Sequence, residues 1–86
     1  MKTIWKFPLQ ITDRQTCFLP KGARILTVQF QDYDLCMWAE VDPKELVEPV
    51  GISVYGTGNP VENKPGIYLA TVQRDGLVWH VYRDEQ

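Results

Sequence analysis

Few side chains in this sequence are of types that do chemistry, and each stands apart from the partners that chemistry would need. His80 is the sole histidine, so any acid–base step must run through it. An enzyme would also need a second polar group converging on it, and no Ser or Cys nucleophile is fixed beside it by the sequence. A cross-strand hydrogen-bonding or interface role therefore suits His80. Cys17 and Cys36 form no C-x-x-C motif and read as free thiols. One His and two isolated Cys do not make a zinc signature. Asp32 and Asp34 flank a turn, where Asp caps local backbone. No catalytic residue, metal or cofactor is predicted.

The stretch VYGTGNP (54–60) is the other candidate, since two glycines surround a hydroxyl and an amide. Phosphate-binding glycine loops present N–H groups at a helix N-terminus, yet no helical pattern begins after Asn59 and Pro60 lacks a donor. The Lys and Ser/Thr of a P-loop are also missing. This is a corner of a β fold, with a ligand-contacting loop of Tyr55, Gly56, Thr57, Gly58 and Asn59 as the alternative.

The elements that would position these residues are strands. In IYLATVQRDGLVWHVY, Asp75-Gly76 suits a two-residue type I′ turn, because both central residues need positive φ. The register then sets Val72 opposite Trp79 and Ala70 opposite Val81, on a core face that includes Leu77. Gln73, Thr71, His80 and Tyr82 face the other way, with Val78 and Leu69 beside them. A second hairpin turns around residues 31–34. Alternation pairs Phe30 with Leu35, Val28 with Met37 and Leu26 with Ala39 in the core, and turns Ile25, Thr27, Gln29, Cys36, Trp38 and Glu40 outward. TIWKFPLQ is a first strand with Trp5, Phe7 and Leu9 on one face, and Pro8 marks an edge or the strand's end. QTCFLP is a short second strand. VDPKELVEP resembles a capping box, with Asp42 at N-cap, Pro43 at N1 and Glu45 at N3, and predicts one or two helical turns before a strand at GISVY. The expected fold is a single all-β, mainly antiparallel domain over residues 1–86, a β-sandwich or partly open barrel of six to seven strands with one short helical turn. At 86 residues the chain holds one modest core.

Charge is nearly balanced, with a net of −2, and gives no whole-domain attraction to nucleic acid or an anionic membrane. Its distribution is uneven. Residues 1–30 carry five basic side chains against Asp13 alone, and residues 31–62 carry seven acidic ones against Lys44 alone. Pairing of the two segments within a β fold would neutralise both. No apolar run approaches the ~18 residues of a membrane span, which predicts a soluble intracellular protein.

The blocks KTIWKFPL, PKGARILTVQ, WAEVDP, YGTGNP, YLATVQ and LVWHVY together resemble a family of small uncharacterised proteins encoded by tailed bacteriophages and prophages. The resemblance covers nearly the whole chain. It implies a phage origin and a host-cytoplasmic setting but carries over no catalytic residue. The family pattern often has His where this chain has Asn59, which argues against an obligatory acid–base or metal role there. The expected function is that of a non-enzymatic accessory protein binding a host macromolecule, a host protein in the first place, as a counter-defence or host-modulating inhibitor. Its candidate anchors are Ile25, Trp38, His80 and Tyr82. The alternatives are a nucleotide-signal sponge using the 55–59 loop and a virion or assembly component. Homodimerisation through the face bearing Trp38 or His80 is compatible with each.

Overall fold

Alternation of apolar and polar residues in short runs, punctuated by Gly, Pro and Asp, yields seven strands in the computed structural model, which describes residues 1–85. They are β1 (Thr3–Leu9), β2 (Arg14–Pro20), β3 (Arg24–Gln31), β4 (Asp34–Val41), β5 (Val47–Gly56), β6 (Ile67–Arg74) and β7 (Leu77–Arg83). Every pairing is antiparallel, in two sheets of order β1-β4-β3 and β2-β5-β7-β6. The Cα envelope is 15 Å in its thinnest dimension, as two facing sheets require. Between them lies one core that includes Leu19, Val28, Met37, Ala39, Ile52 and Val81.

One side of the sandwich is drawn together strand against strand and the other is not. β3 and β6 run close at one edge. There Phe30 packs edge-to-face on Trp79 at 5.7 Å, and the Arg74 guanidinium lies 4.7 Å over the Phe30 ring while donating to the Tyr33 carbonyl. At the opposite side β1 and β2 are joined through Gln10 and Gln15. The Gln10 N–H donates to Gln15 Oε1 at 3.0 Å, and Gln15 Nε2 donates to the Gln10 carbonyl at 2.6 Å. The barrel does not close, and β1 remains an edge, as Pro8 predicts.

Both hairpins pair as expected near their turns. Asp75 and Gly76 have φ of 54° and 79°, as a type I′ turn needs, and Asp32 has φ of 57°. Away from the turns each hairpin contains a bulge. In β3 the register shifts between Ile25 and Thr27, so Ile25, not Leu26, lies opposite Ala39. One unpaired residue reverses the facing of everything upstream. Ile25 therefore packs against the core, contrary to its predicted outward position, and Leu26 is 40% exposed. The same shift sets Arg24 beside Glu40, at 3.7 Å.

In β6 the shift falls between Tyr68 and Ala70. Unbroken alternation would put Leu69 outward opposite Tyr82. Instead Leu69 turns in against the core and Tyr68 takes the outward place opposite Tyr82. Gly66, with φ of 103°, lets the chain enter β6 here, since a Cβ would collide with the Arg83 carbonyl. Leu77 was expected in the core but is 59% exposed, because it sits at the hairpin tip next to the turn.

The predicted helical turn at Asp42 does not form. Asp42 Oδ1 accepts the Lys44 N–H and the Asp42 carbonyl accepts the Glu45 N–H, both at 3.0 Å, which makes a local turn. Val47, Glu48 and Pro49 are then drawn into β5 by pairing with Pro20, Leu19 and Phe18. Pro49 is tolerated because β7 pairs only with Ile52–Gly56, leaving β5 without a second neighbour at that point.

The β3 bulge is testable by stability. Ile25→Ala is expected to cost about 1–3 kcal/mol for lost core packing, and Leu26→Ala within about 0.5 kcal/mol, as read from urea unfolding midpoints. The reverse ranking would restore unbroken alternation.

Candidate functional site

The outward face of the four-stranded sheet gathers most of the chain's polar aromatic chemistry. Ile52, Val54 and Val81 point into the core, so their neighbours Ser53, Tyr55, His80 and Tyr82 point out. Cross-strand pairing puts Tyr82 between Ser53 and Tyr68, and His80 between Tyr55 and Thr71. The three tyrosines form a row across β6, β7 and β5. Tyr68 and Tyr82 have ring centroids 5.6 Å apart at 73°, and Tyr82 and Tyr55 lie 5.8 Å apart at 77°. Each is an edge-to-face contact, the arrangement the ring quadrupoles favour. Tyr68 is 53% exposed.

Alongside the row runs a chain of hydrogen bonds through His80. Tyr68 OH and Thr71 Oγ1 are 2.6 Å apart, Thr71 Oγ1 and His80 Nδ1 3.1 Å, and His80 Nε2 and Thr57 Oγ1 2.8 Å. Thr57 Oγ1 also donates to the Val78 carbonyl at 3.2 Å. One direction satisfies every group: Tyr68 O–H to Thr71, Thr71 O–H to Nδ1, Nε2–H to Thr57, and Thr57 O–H to Val78. A hydroxyl beside an imidazole resembles the first two members of a nucleophilic triad. Here the hydroxyl proton is directed at a carbonyl and no carboxylate stands at Nδ1, so nothing activates Thr57. His80 instead ties the 57–59 turn to β6 across β7.

The glycine stretch is folded on itself. The Thr57 N–H donates to the Val78 carbonyl at 3.1 Å and the Asn59 N–H to the Gly56 carbonyl at 3.0 Å, so two donors of the supposed cradle are occupied. Gly58 has φ of 92°, and the Asn59 side chain packs where a Cβ on Gly56 would lie. These contacts make a corner. With Ser53 and Tyr55, Asn59 nevertheless lines a cleft of about 380 Å³ that also includes Asp13, Arg14 and Glu62.

One lining residue of that cleft, Arg14, is fixed by an ion pair. Arg14 Nη2 pairs with Asp84 Oδ2, and Arg14 Nη1 donates to Ser53 Oγ at 3.2 Å. Gly51 makes room, since any Cβ there would strike Asp84 and Arg14. The Arg14 hydrogen bond, aided by its charge, holds the Asp84 carboxyl below the usual carboxylate range, and Asp84 in turn raises Arg14.

Over residues 1–86 the sequence matches the family described as Domain of unknown function (DUF7352). The chain belongs to this family. No curated protein and no solved structure matches it.

This DUF7352 chain brings together Tyr55, Thr57, His80 and Tyr82 of the sequence-predicted residues, with Gly56, Gly58 and Asn59 in the adjoining turn, and separates Ile25 and Trp38 from them. Trp38 lies half-buried on the outward face of the other sheet, between Lys6 and Thr27, and Ile25 is turned inward. Cys36 is buried, and burial pushes the Cys17 thiol up, away from the reactive thiolate. Among the described residues no three His, Cys, Asp or Glu side chains gather as metal ligands. Sequence reasoning missed Tyr68, Arg14 and Asp84. The one available signal was the Tyr68-Leu69 pair, in which either residue could be turned inward.

Asp84 gives a pH prediction. Because its folded pKa is depressed, its contribution to stability is full above the unfolded carboxyl value of about 3.9 and is lost as pH falls through the folded value. Asp84→Asn is expected to lower the melting temperature at neutral pH, with the two melting curves converging as the wild-type carboxylate is protonated. A constant difference across the acid range would contradict the ion pair.

Proposed function

We propose that this protein is a non-enzymatic binding module that engages a protein partner through the tyrosine face of its four-stranded sheet. The observation that carries this reading is the row Tyr68-Tyr82-Tyr55, held on a rigid sheet with its first ring half-exposed. Tyrosine offers large contact area with few rotamers to freeze and is enriched where binding energy concentrates. Both ring nitrogens of His80 are occupied, which favours a structural role for it beneath such a surface.

The sequence blocks that resemble phage and prophage proteins support a host protein as the partner and the host cytoplasm as the setting. Among the described residues no helix is long and apolar enough to cross a membrane. The cleft beside Tyr55 favours a second reading, a small-ligand site, since its volume of about 380 Å³ is in the range of such pockets. Asp13 and Glu62 at its wall oppose the phosphates of a nucleotide.

Affinity capture from host lysate separates the faces. The wild type and Trp38→Ala are expected to retain the same stoichiometric protein, and Tyr68→Ala to lose it, with a weakening of about 2 kcal/mol, or roughly 30-fold. Loss with Trp38→Ala alone would move the interface to the three-stranded sheet. A nucleotide that raises the melting temperature in the absence of a protein partner would favour the small-ligand reading.

A further inference from the structure

β2 ends its sheet, and the direction of its backbone groups can be read residue by residue. The Asp84 N–H donates to the Gly51 carbonyl at 2.9 Å, so Gly51 faces the β7 side, and Val50 and Ile52 turn their backbone groups to β2. The Lys21 N–H donates to the Leu46 carbonyl at 2.8 Å in the same alternation. Gln15 and Cys17, opposite Ile52 and Val50, are thereby engaged with β5. Arg14, Thr16 and Phe18 then direct their N–H and C=O groups away from the sheet, where no strand pairs with β2. Beyond them the row stops, because Pro20 has no N–H and its carbonyl accepts the Ala23 N–H at 3.1 Å. Open edges are ordinarily blunted by Lys, Pro or a covering segment. β1 carries Lys6 and Pro8, and β3 and β6 run close to each other. β2 has no such guard from Gln15 to Leu19, a stretch without charge in which Thr16 is exposed and Phe18 is 62% exposed.

We propose that β2 pairs antiparallel with β2 of a second copy of this chain, about a two-fold axis through Thr16, and so forms a homodimer. This register sets Thr16 opposite its own counterpart and Arg14 opposite Phe18. Every N–H and C=O of the free row then meets a partner group, and Arg14 meets Phe18 in place of a second Arg14. The row is thus complementary to itself, whereas its lack of charge gives a foreign strand little to be selected by. Opposed residues of an antiparallel pair share a face, so the two four-stranded sheets join as one with both tyrosine rows on the same side. The inference does not depend on that face binding a partner.

Sedimentation equilibrium of the full chain is expected to show a monomer–dimer equilibrium. Thr16→Lys and Thr16→Glu should each weaken it roughly tenfold or more, since like charges then stand directly opposite, and an equimolar mixture of the two variants should restore the dimer. Thr16 is exposed, and circular dichroism checks that each variant keeps the fold. In hydrogen exchange of the wild type, the Thr16 and Phe18 amides should gain protection as the concentration rises into the dimeric range. A wild type that stays monomeric at millimolar concentration, charge variants that dimerise as the wild type does, a mixture that stays monomeric, or amides left unprotected in the dimer would each overturn the proposal. A dimer lost with Trp38→Ala but kept by Thr16→Lys would place the contact on the three-stranded sheet and overturn it as well.

Discussion

Side chains on a strand alternate strictly between two faces, so in a two-layer fold of this size a single unpaired residue redistributes everything on one side of it. Leu69 is such a residue. By dropping out of the β6–β7 ladder it goes to the core and releases Tyr68 to the outer surface opposite Tyr82. Without that step the face would carry an aliphatic side chain where it now has a third ring, and the hydroxyl that begins the chain to Thr71 and His80 would point elsewhere. The bulge in β3 works the same way on the other sheet, where Ile25 fills the core opposite Ala39 and Arg24 is delivered to Glu40. Both bulges lie away from the tight turns that fix the hairpin registers.

Two clamps hold the sheets in the arrangement this produces. At the β3–β6 edge, Phe30, Trp79 and Arg74 stack aromatic on aromatic and cation on aromatic, uniting the tips of two hairpins that are adjacent in space only. On the outer face, Arg14 reaches from β2 over Gly51 to Asp84 beyond the end of β7, linking residues seventy positions apart. A partly exposed ion pair contributes modestly to stability. Its greater consequence is positional, because it neutralises the one cation of the cleft and leaves Asp13 and Glu62 to set its charge.

The same geometry explains why His80, chemically the most versatile side chain in the protein, reads as structural. Its neighbours are hydroxyls, each engaged with the next, and the histidine joins them across three strands. No buried side-chain nitrogen or oxygen among the described residues lacks a hydrogen-bond partner. The buried polar groups are thus satisfied internally, and beside the His80 chain the tyrosine rings offer open contact area.

Periodicity, turn chemistry and the placing of Pro and Gly were enough to reveal an all-β antiparallel domain, the Asp75-Gly76 hairpin, the edge position of β1 and the outward facing of His80 and Tyr82. These depend on interactions between near neighbours, which a linear reading captures. The capping signal at Asp42 was also real, but its donors closed a turn because Val47–Pro49 gained more by pairing with β2 than a short helix would have offered. Whether Leu69 or Tyr68 turns inward, and whether Ile25 or Leu26 does, is settled by which side chain fits the space left by the opposing sheet. Arg14 and Asp84 meet only because β5 lies between β2 and β7. Such choices depend on packing and strand order, to which residues distant along the chain contribute, and so they are legible only in the folded molecule.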